Sequence, residues 1–120
     1  MHIQTPSVFF STQATALSLL NTGNGTFSPQ TNYSVDTSPE LVAVADMNSD
    51  NKLDIAVANW KGNTVSVLLN ADNGTFSSQT TYEVGPYPLS AAVADVNNDN
   101  KPDIVTANTN SNTVSVLIHC

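Results

Sequence analysis

The sequence aligns with itself. Residues 14–62 match residues 63–111 without a gap, at an offset of 49, with 26 identical positions. Matched landmarks include Asn21/Asn70, Gly25/Gly74, Phe27/Phe76, Tyr33/Tyr82, Pro39/Pro88, Asp46/Asp95 and Ile55/Ile104. Residues 112–119 then restart the pattern of 63–70, NTVSVLIH against NTVSVLLN. A period of roughly 20–50 residues marks a solenoid or a propeller, whose units bury their faces only against one another. The organisation follows: 1–13 a degenerate N-terminal strand of an incomplete unit, 14–62 and 63–111 the two repeats, 112–120 the start of a third. SVFF (7–10) is a worn version of the strand expected at 56–59.

Each repeat reads as four antiparallel strands. LVAVAD (41–46) is a continuous apolar run, expected to be buried on both faces, with Ala43 and Ala45 suited to a crowded position. LDIAVAN (53–59) is the second strand, and WKGN (60–63) the turn after it. TVSVLLN (64–70) is the third, with Val65, Val67 and Leu69 on one face. Asn73-Gly74 is a hairpin signal, because both residues accept positive φ. FSSQTTYEV (76–84) is a more polar outer strand, and Pro86 and Pro88 end its pairing before SAAVAD (90–95) restarts the cycle. Four such strands per repeat make a propeller blade, so the expected fold is all-β, about 2.4 four-stranded antiparallel blades. No segment shows the 3.6-residue apolar period of a helix. Composition agrees, since 42 of the 120 residues are Asn, Ser or Thr, which favour turns and strands.

Ten acids against three lysines give a net charge of −7, although only 11% of residues are charged. Six of those acids sit in two loops, DMNSDNKLD (46–54) and DVNNDNKPD (95–103). Both read D-x-N-x-D-x-K-x-D. Oxygen side chains fall at Asp46, Asn48, Asp50 and Asp54, and again at Asp95, Asn97, Asp99 and Asp103. Lys52 and Lys101 are expected to offer a backbone carbonyl, with the ammonium turned to water. Five oxygens, with a water or a bidentate carboxylate, supply the six to eight ligands at ~2.3–2.6 Å that Ca²⁺ takes. Mg²⁺ demands a stricter octahedron, and Zn²⁺ wants His or Cys, which the loops lack. Asn51 and Asn100 stand where an EF-hand has its sharp-turn Gly, and Asn tolerates that conformation. The loops are not EF-hands: strands flank them, and Val57 or Thr106 replaces the terminal Glu. A solvated Asx turn is the plainer reading of one such loop, but two copies in register argue against it. Three converging carboxylates without a cation would also repel one another.

On these motifs the chain resembles FG-GAP/VCBS-type repeats, the Ca²⁺-binding blades of integrin-α-like β-propellers. D-x-N-x-D-N-K-x-D-[IL], ANxxxNTVSVLLN (58–70) and NGTF (24–27 and 73–76) carry the resemblance, over about residues 14–120. Where that pattern often has Gly, this chain has Ser49, Asn51, Asn98 and Asn100. The resemblance implies two structural Ca²⁺ sites and an extracellular or cell-surface module for binding, adhesion or scaffolding. Its partners would be a protein or carbohydrate ligand and other blades of the same or another chain. About 2.4 repeats fall short of a closed ring. The chain is therefore read as a segment of a longer propeller, or as a protomer completing a ring by assembly. Secreted propeller enzymes acting on polysaccharides or esters are the alternative, with a gene fragment lacking independent function as a third.

The remaining residues suggest binding rather than catalysis. A nucleic-acid partner is excluded by the lack of a basic face, and membrane insertion by the lack of an 18-residue apolar run. No signal peptide is visible. Cys120 is the single cysteine, so no intrachain disulfide forms. His2 and His119 belong to no recognisable triad. Trp60 reads as a residue packed on its neighbour or, alternatively, a sugar-stacking platform; Tyr87, between two prolines, reads as part of a stiffened loop or, alternatively, a contact residue. Asn24, Asn32 and Asn73 lie in glycosylation sequons, although Asn24 and Asn73 already have a reason as turn residues.

Overall fold

The computed structural model describes residues 6–10, 15–20, 26, 31–72 and 75–119, with 6–10 and 15–20 as backbone strands. These residues form ten strands: β1 (Pro6–Phe10), β2 (Thr15–Leu20), β3 (Thr31–Ser34), β4 (Pro39–Ala45), β5 (Asp54–Asn59), β6 (Thr64–Leu68), β7 (Thr80–Glu83), β8 (Pro88–Ala94), β9 (Asp103–Asn108) and β10 (Thr113–Leu117). They make three antiparallel sheets, ordered β1-β2-β3, β4-β5-β6-β7 and β10-β9-β8. The all-β expectation holds, and among the described residues no helix is long and apolar enough to cross a membrane.

The repeat is visible in the hydrogen-bond register. Leu41↔Ala58 and Asn59↔Thr64 in the middle sheet recur 49 residues on as Ser90↔Ala107 and Asn108↔Thr113. Thr15↔Ser34 likewise anticipates Thr64↔Glu83. The first pairing departs: Phe10 faces Ala16 where the repeat would place it opposite Thr15. A one-residue slip exchanges the faces of a strand. It falls in the segment whose sequence matches the repeat least.

The middle sheet is the core. All six residues of β5 and all five of β6 are buried. On one face Ile55, Val57 and Leu68 gather Val35 and Phe76, with Tyr33 and Val42 packed alongside. On the other, Ala56, Val65 and Val67 meet Met47 and Ile104, with Val84, Val93 and Leu117 at the margin. Alanines at 56 and 58 leave the room in which β8 lies against β4, β5 and β6. Burying each large aliphatic here contributes about 1.5–3 kcal/mol.

Two strand expectations need correction. The 41–46 run is not buried on both faces: Leu41 is 39% and Val44 42% exposed, because β4 is an edge strand. The doubly covered strand is β5. The outer strand is also shorter than 76–84. Phe76 makes an isolated bridge to Asn70, and continuous pairing begins only at Thr80. Pro39 and Pro88 open β4 and β8, a position where a missing N–H costs no ladder bond. The Asn73-Gly74 pair lies outside the described residues. Its flanks close the turn through Ala71 N–H to Thr75 O (2.9 Å), with Asp72 at φ 77°.

Candidate metal centre

Each acidic loop leaves the end of one strand and re-enters the sheet at the next, β4 to β5 and β8 to β9. The chain curls because alternate residues take the left-handed conformation. Ser49 and Asn51 have φ of 60° and 63°, and Asn98 and Asn100 have 59° and 63°. Asn51 and Asn100 thus fill the sharp-turn role expected of them. The curl brings one carboxylate oxygen each of Asp46, Asp50 and Asp54 within 4.8 Å of one another, and does the same for Asp95, Asp99 and Asp103.

The three carboxylates of a loop have different duties. Asp46 is the hub: its Oδ1 accepts the N–H groups of Asn48 (3.3 Å) and Asp50 (3.2 Å), and its Oδ2 that of Asn51 (2.9 Å). Asp95 repeats this with Asp99 (3.2 Å) and Asn100 (2.8 Å). Partial desolvation pushes the Asp46 and Asp95 carboxyls up. The several backbone N–H bonds outweigh it and hold both below the usual carboxylate value. Asp50 and Asp99 are exposed and each accept one N–H, from Lys52 and Lys101 (3.0 Å both).

Asp54 and Asp103 are buried anchors. Asp54 Oδ2 accepts Met47 N–H and its Oδ1 accepts Asn70 N–H, both at 2.7 Å. Asp103 accepts Val96 N–H at 3.0 Å and His119 N–H at 2.8 Å. One carboxylate therefore ties the loop, the second strand and the end of the third strand together. Asn70 reinforces the tie by donating its amide to Leu53 O (3.1 Å). The anchoring partners Asn70 and His119 were not legible as such in the sequence, although they occupy one repeat position.

Asn48 lies against the carboxylates. With its amide nitrogen inward it donates to Asp50 Oδ1 at 2.9 Å and Asp46 Oδ1 at 3.2 Å. The opposite orientation puts a fourth oxygen in the same place. Asn97 is the exposed counterpart in the second loop. Lys52 corrects an expectation: its ammonium pairs with Asp72 of the neighbouring hairpin instead of turning to water. Its carboxylate partner raises the Lys52 pKa, chiefly through the hydrogen bond to Asp72. Lys101 is exposed.

A second polar constellation, also repeated, escaped the sequence reading. Asn59, fully buried, donates to Thr64 Oγ1 (3.1 Å) and Ser66 Oγ (2.8 Å). Thr64 in turn donates to Asp36 Oδ2 (2.7 Å), and Ser66 to Gln79 Oε1 (2.6 Å). Asn108, Thr113 and Ser115 repeat the first part at 3.2 and 2.9 Å. The signal was the fixed spacing Asn-x₄-Thr-x-Ser, overlooked beside the acidic loops. At the turns beside these networks, Trp60 packs on Tyr87 with ring centroids 4.9 Å apart, and Tyr87 N–H donates to Asn63 Oδ1 at 2.9 Å. Asn32 is exposed on β3, whereas His2, Asn24, Asn73 and Cys120 lie outside the described residues.

Repeated antiparallel sheets, two of them carrying an acidic oxygen-rich loop, define a class of modular β-repeat proteins. A family model for the FG-GAP-like repeat matches residues 46–106, just over half of the chain. The chain belongs to that family. No curated protein sequence and no solved structure matches it.

Proposed function

We propose that each acidic loop binds one Ca²⁺ and that the chain is a calcium-stabilised segment of an extracellular β-propeller, presenting its loops for binding or adhesion. The observation that carries this reading is the duplicated cluster: three carboxylate oxygens within 4.8 Å of one another, twice, in loops that share every expected ligand position. The donors are hard oxygens, with neither His nor Cys among the loop ligands, which suits Ca²⁺ better than Zn²⁺. Asp46, Asn48, Asp50 and Asp54, with the Lys52 carbonyl, would hold one ion. Asp95, Asn97, Asp99 and Asp103, with the Lys101 carbonyl, would hold the other. The role is structural, since the loops join the strands that form the core.

At ~1–2 mM Ca²⁺ and a Kd of roughly 10⁻⁴–10⁻³ M, each site adds about 0.5–2 kcal/mol. Cytosolic Ca²⁺ would leave such sites nearly empty, which favours an extracellular setting, the usual one for FG-GAP repeats. A non-catalytic role is supported by the four other carboxylates: Asp36 is engaged by Thr64, Asp72 by Lys52, and Glu40 and Glu83 stand exposed on β4 and β7. Calorimetry tests the reading. Two sites are expected, with Asp50→Ala and Asp99→Ala each removing one. Absence of binding at 2 mM Ca²⁺ would sink it.

A further inference from the structure

The first acidic loop has an attachment that ligand geometry alone does not require. Met47 stands between Asp46 and Asn48, and its N–H donates to Asp54 Oδ2 at 2.7 Å. Its main chain therefore lies among the oxygen ligands. Its side chain is buried, with 8% exposure. It packs in a cluster drawn from both repeats: Ala56, Val65 and Val67 from the first and Ile104 from the second, with Val93 and Leu117 of the second at the margin.

Between Asp46 and Leu53, Met47 alone is buried; Asn48, Ser49, Asp50 and Asn51 are exposed. The side chain is thus the buried tie between this loop and the second repeat. An unbranched thioether suits the place, because it fills irregular gaps between aliphatic neighbours. An ion that fixes the curl of the loop also fixes where the Met47 side chain leaves the main chain. Conversely, a docked second repeat that holds this side chain favours the curl. The two effects are one coupling free energy seen from two ends.

We propose that Met47 is a positioning residue for the first metal site. Through it, docking of the two repeats strengthens calcium binding at the first loop, and calcium bound there strengthens docking. This role rests on the calcium reading: Asp46, Asn48, Asp50 and Asp54, with the Lys52 carbonyl, hold the ion, and Met47 supplies no ligand. Truncating the Met47 side chain removes the tie and keeps every ligand, including the N–H that Asp54 accepts.

The test is calorimetric titration with Ca²⁺ of the full 120-residue chain carrying Asp99→Ala, which leaves the first site to be read alone. Met47→Ala should weaken binding about fivefold or more, the lower end of usual coupling between sites. Met47→Leu conserves volume and should stay within about twofold of the parent. Val57→Ala empties an equally buried position in the cluster on the opposite face, which holds no residue of either acidic loop. It should cost stability and leave the affinity unchanged. If Met47→Ala does not fold, Met47→Val, which installs the residue found in the second loop, should give a smaller loss in the same direction. Unchanged affinity in the folded Met47 variant, or an equal loss in Val57→Ala, would overturn the proposal and leave the calcium reading standing. A parent chain that binds no Ca²⁺ would overturn both.

Discussion

Asp54 and Asp50 belong to one cluster, yet their removal should have very unequal consequences when no calcium is present. Asp54 is fully buried, and its two oxygens accept two backbone N–H groups at 2.7 Å. Asp54→Ala strands both donors. Hydrogen bonds to a charged acceptor are worth about 1.5–3 kcal/mol each, less what is regained by relieving repulsion within the cluster. A loss of about 2–4 kcal/mol is expected, a large share of a typical ~5–15 kcal/mol. Asp50 is exposed and accepts a single backbone N–H, that of Lys52, which water can satisfy. Asp50→Ala also removes one of three crowded negative charges, so its effect in EDTA should stay within about 0.5 kcal/mol of zero. Urea unfolding followed by the fluorescence of the single tryptophan, Trp60, measures both. In 2 mM Ca²⁺ the two variants should each lose the first loop's share of the increment that calcium gives the native chain, and keep that of the second loop. Equal destabilisation in EDTA, or a neutral Asp54→Ala, would refute the division between buried anchor and exposed ligand.

Other outcomes follow from the same geometry. Ser49 sits at φ 60°, so Ser49→Gly should raise stability by about 0.5–1 kcal/mol in urea titrations, the relief of left-handed strain exceeding glycine's entropic cost. The Thr64 hydroxyl, chiefly, with the Thr37 bonds, holds the Asp36 carboxyl below its ordinary 3.8 despite some desolvation. A depressed folded-state pKa adds stability above the ordinary value that is lost as pH falls through the folded one. Asp36→Asn should therefore cost stability at neutral pH, and its difference from the native chain should shrink in unfolding curves taken below that value. Thr106 donates to Asn108 Oδ1 at 3.2 Å, so Thr106→Val should cost about 1 kcal/mol by leaving that oxygen unpaired, as measured by thermal unfolding. Gly85→Ala should be disruptive in the same assay, because a Cβ there would stand 2.4 Å from Asn108 Nδ2.

Much of this was legible because repetition doubles every local signal. The acidic loops could be read to the residue, since alternate ligands in a curled loop need a fixed spacing and the curl needs residues tolerant of positive φ. Ser49 and Asn98 share that conformation with Asn51 and Asn100, where related repeats often carry Gly. Burial was harder to read. The 41–46 run is more apolar than most of the chain, but an apolar strand at a sheet edge still faces solvent. Asp54 and Asp103 were readable as ligands and not as anchors. Their partners, Met47, Asn70, Val96 and His119, donate through backbone groups that no side chain announces. The buried Asn59 network was hidden for a related reason, because Asn, Thr and Ser are too common in this chain to stand out.

The two copies of TVSVL carry a further consequence. Thr64–Leu68 lies at the centre of the protein, and the same five residues recur as Thr113–Leu117 at a margin. Local propensity is therefore equal at the two places by construction, and only the surroundings differ. Val65→Ala and Val114→Ala delete the same methyl groups from the same strand sequence. The difference between their costs is the free energy that a flanking strand and neighbouring sheets together add to one valine, measured inside a single molecule with intrinsic strand preference cancelled.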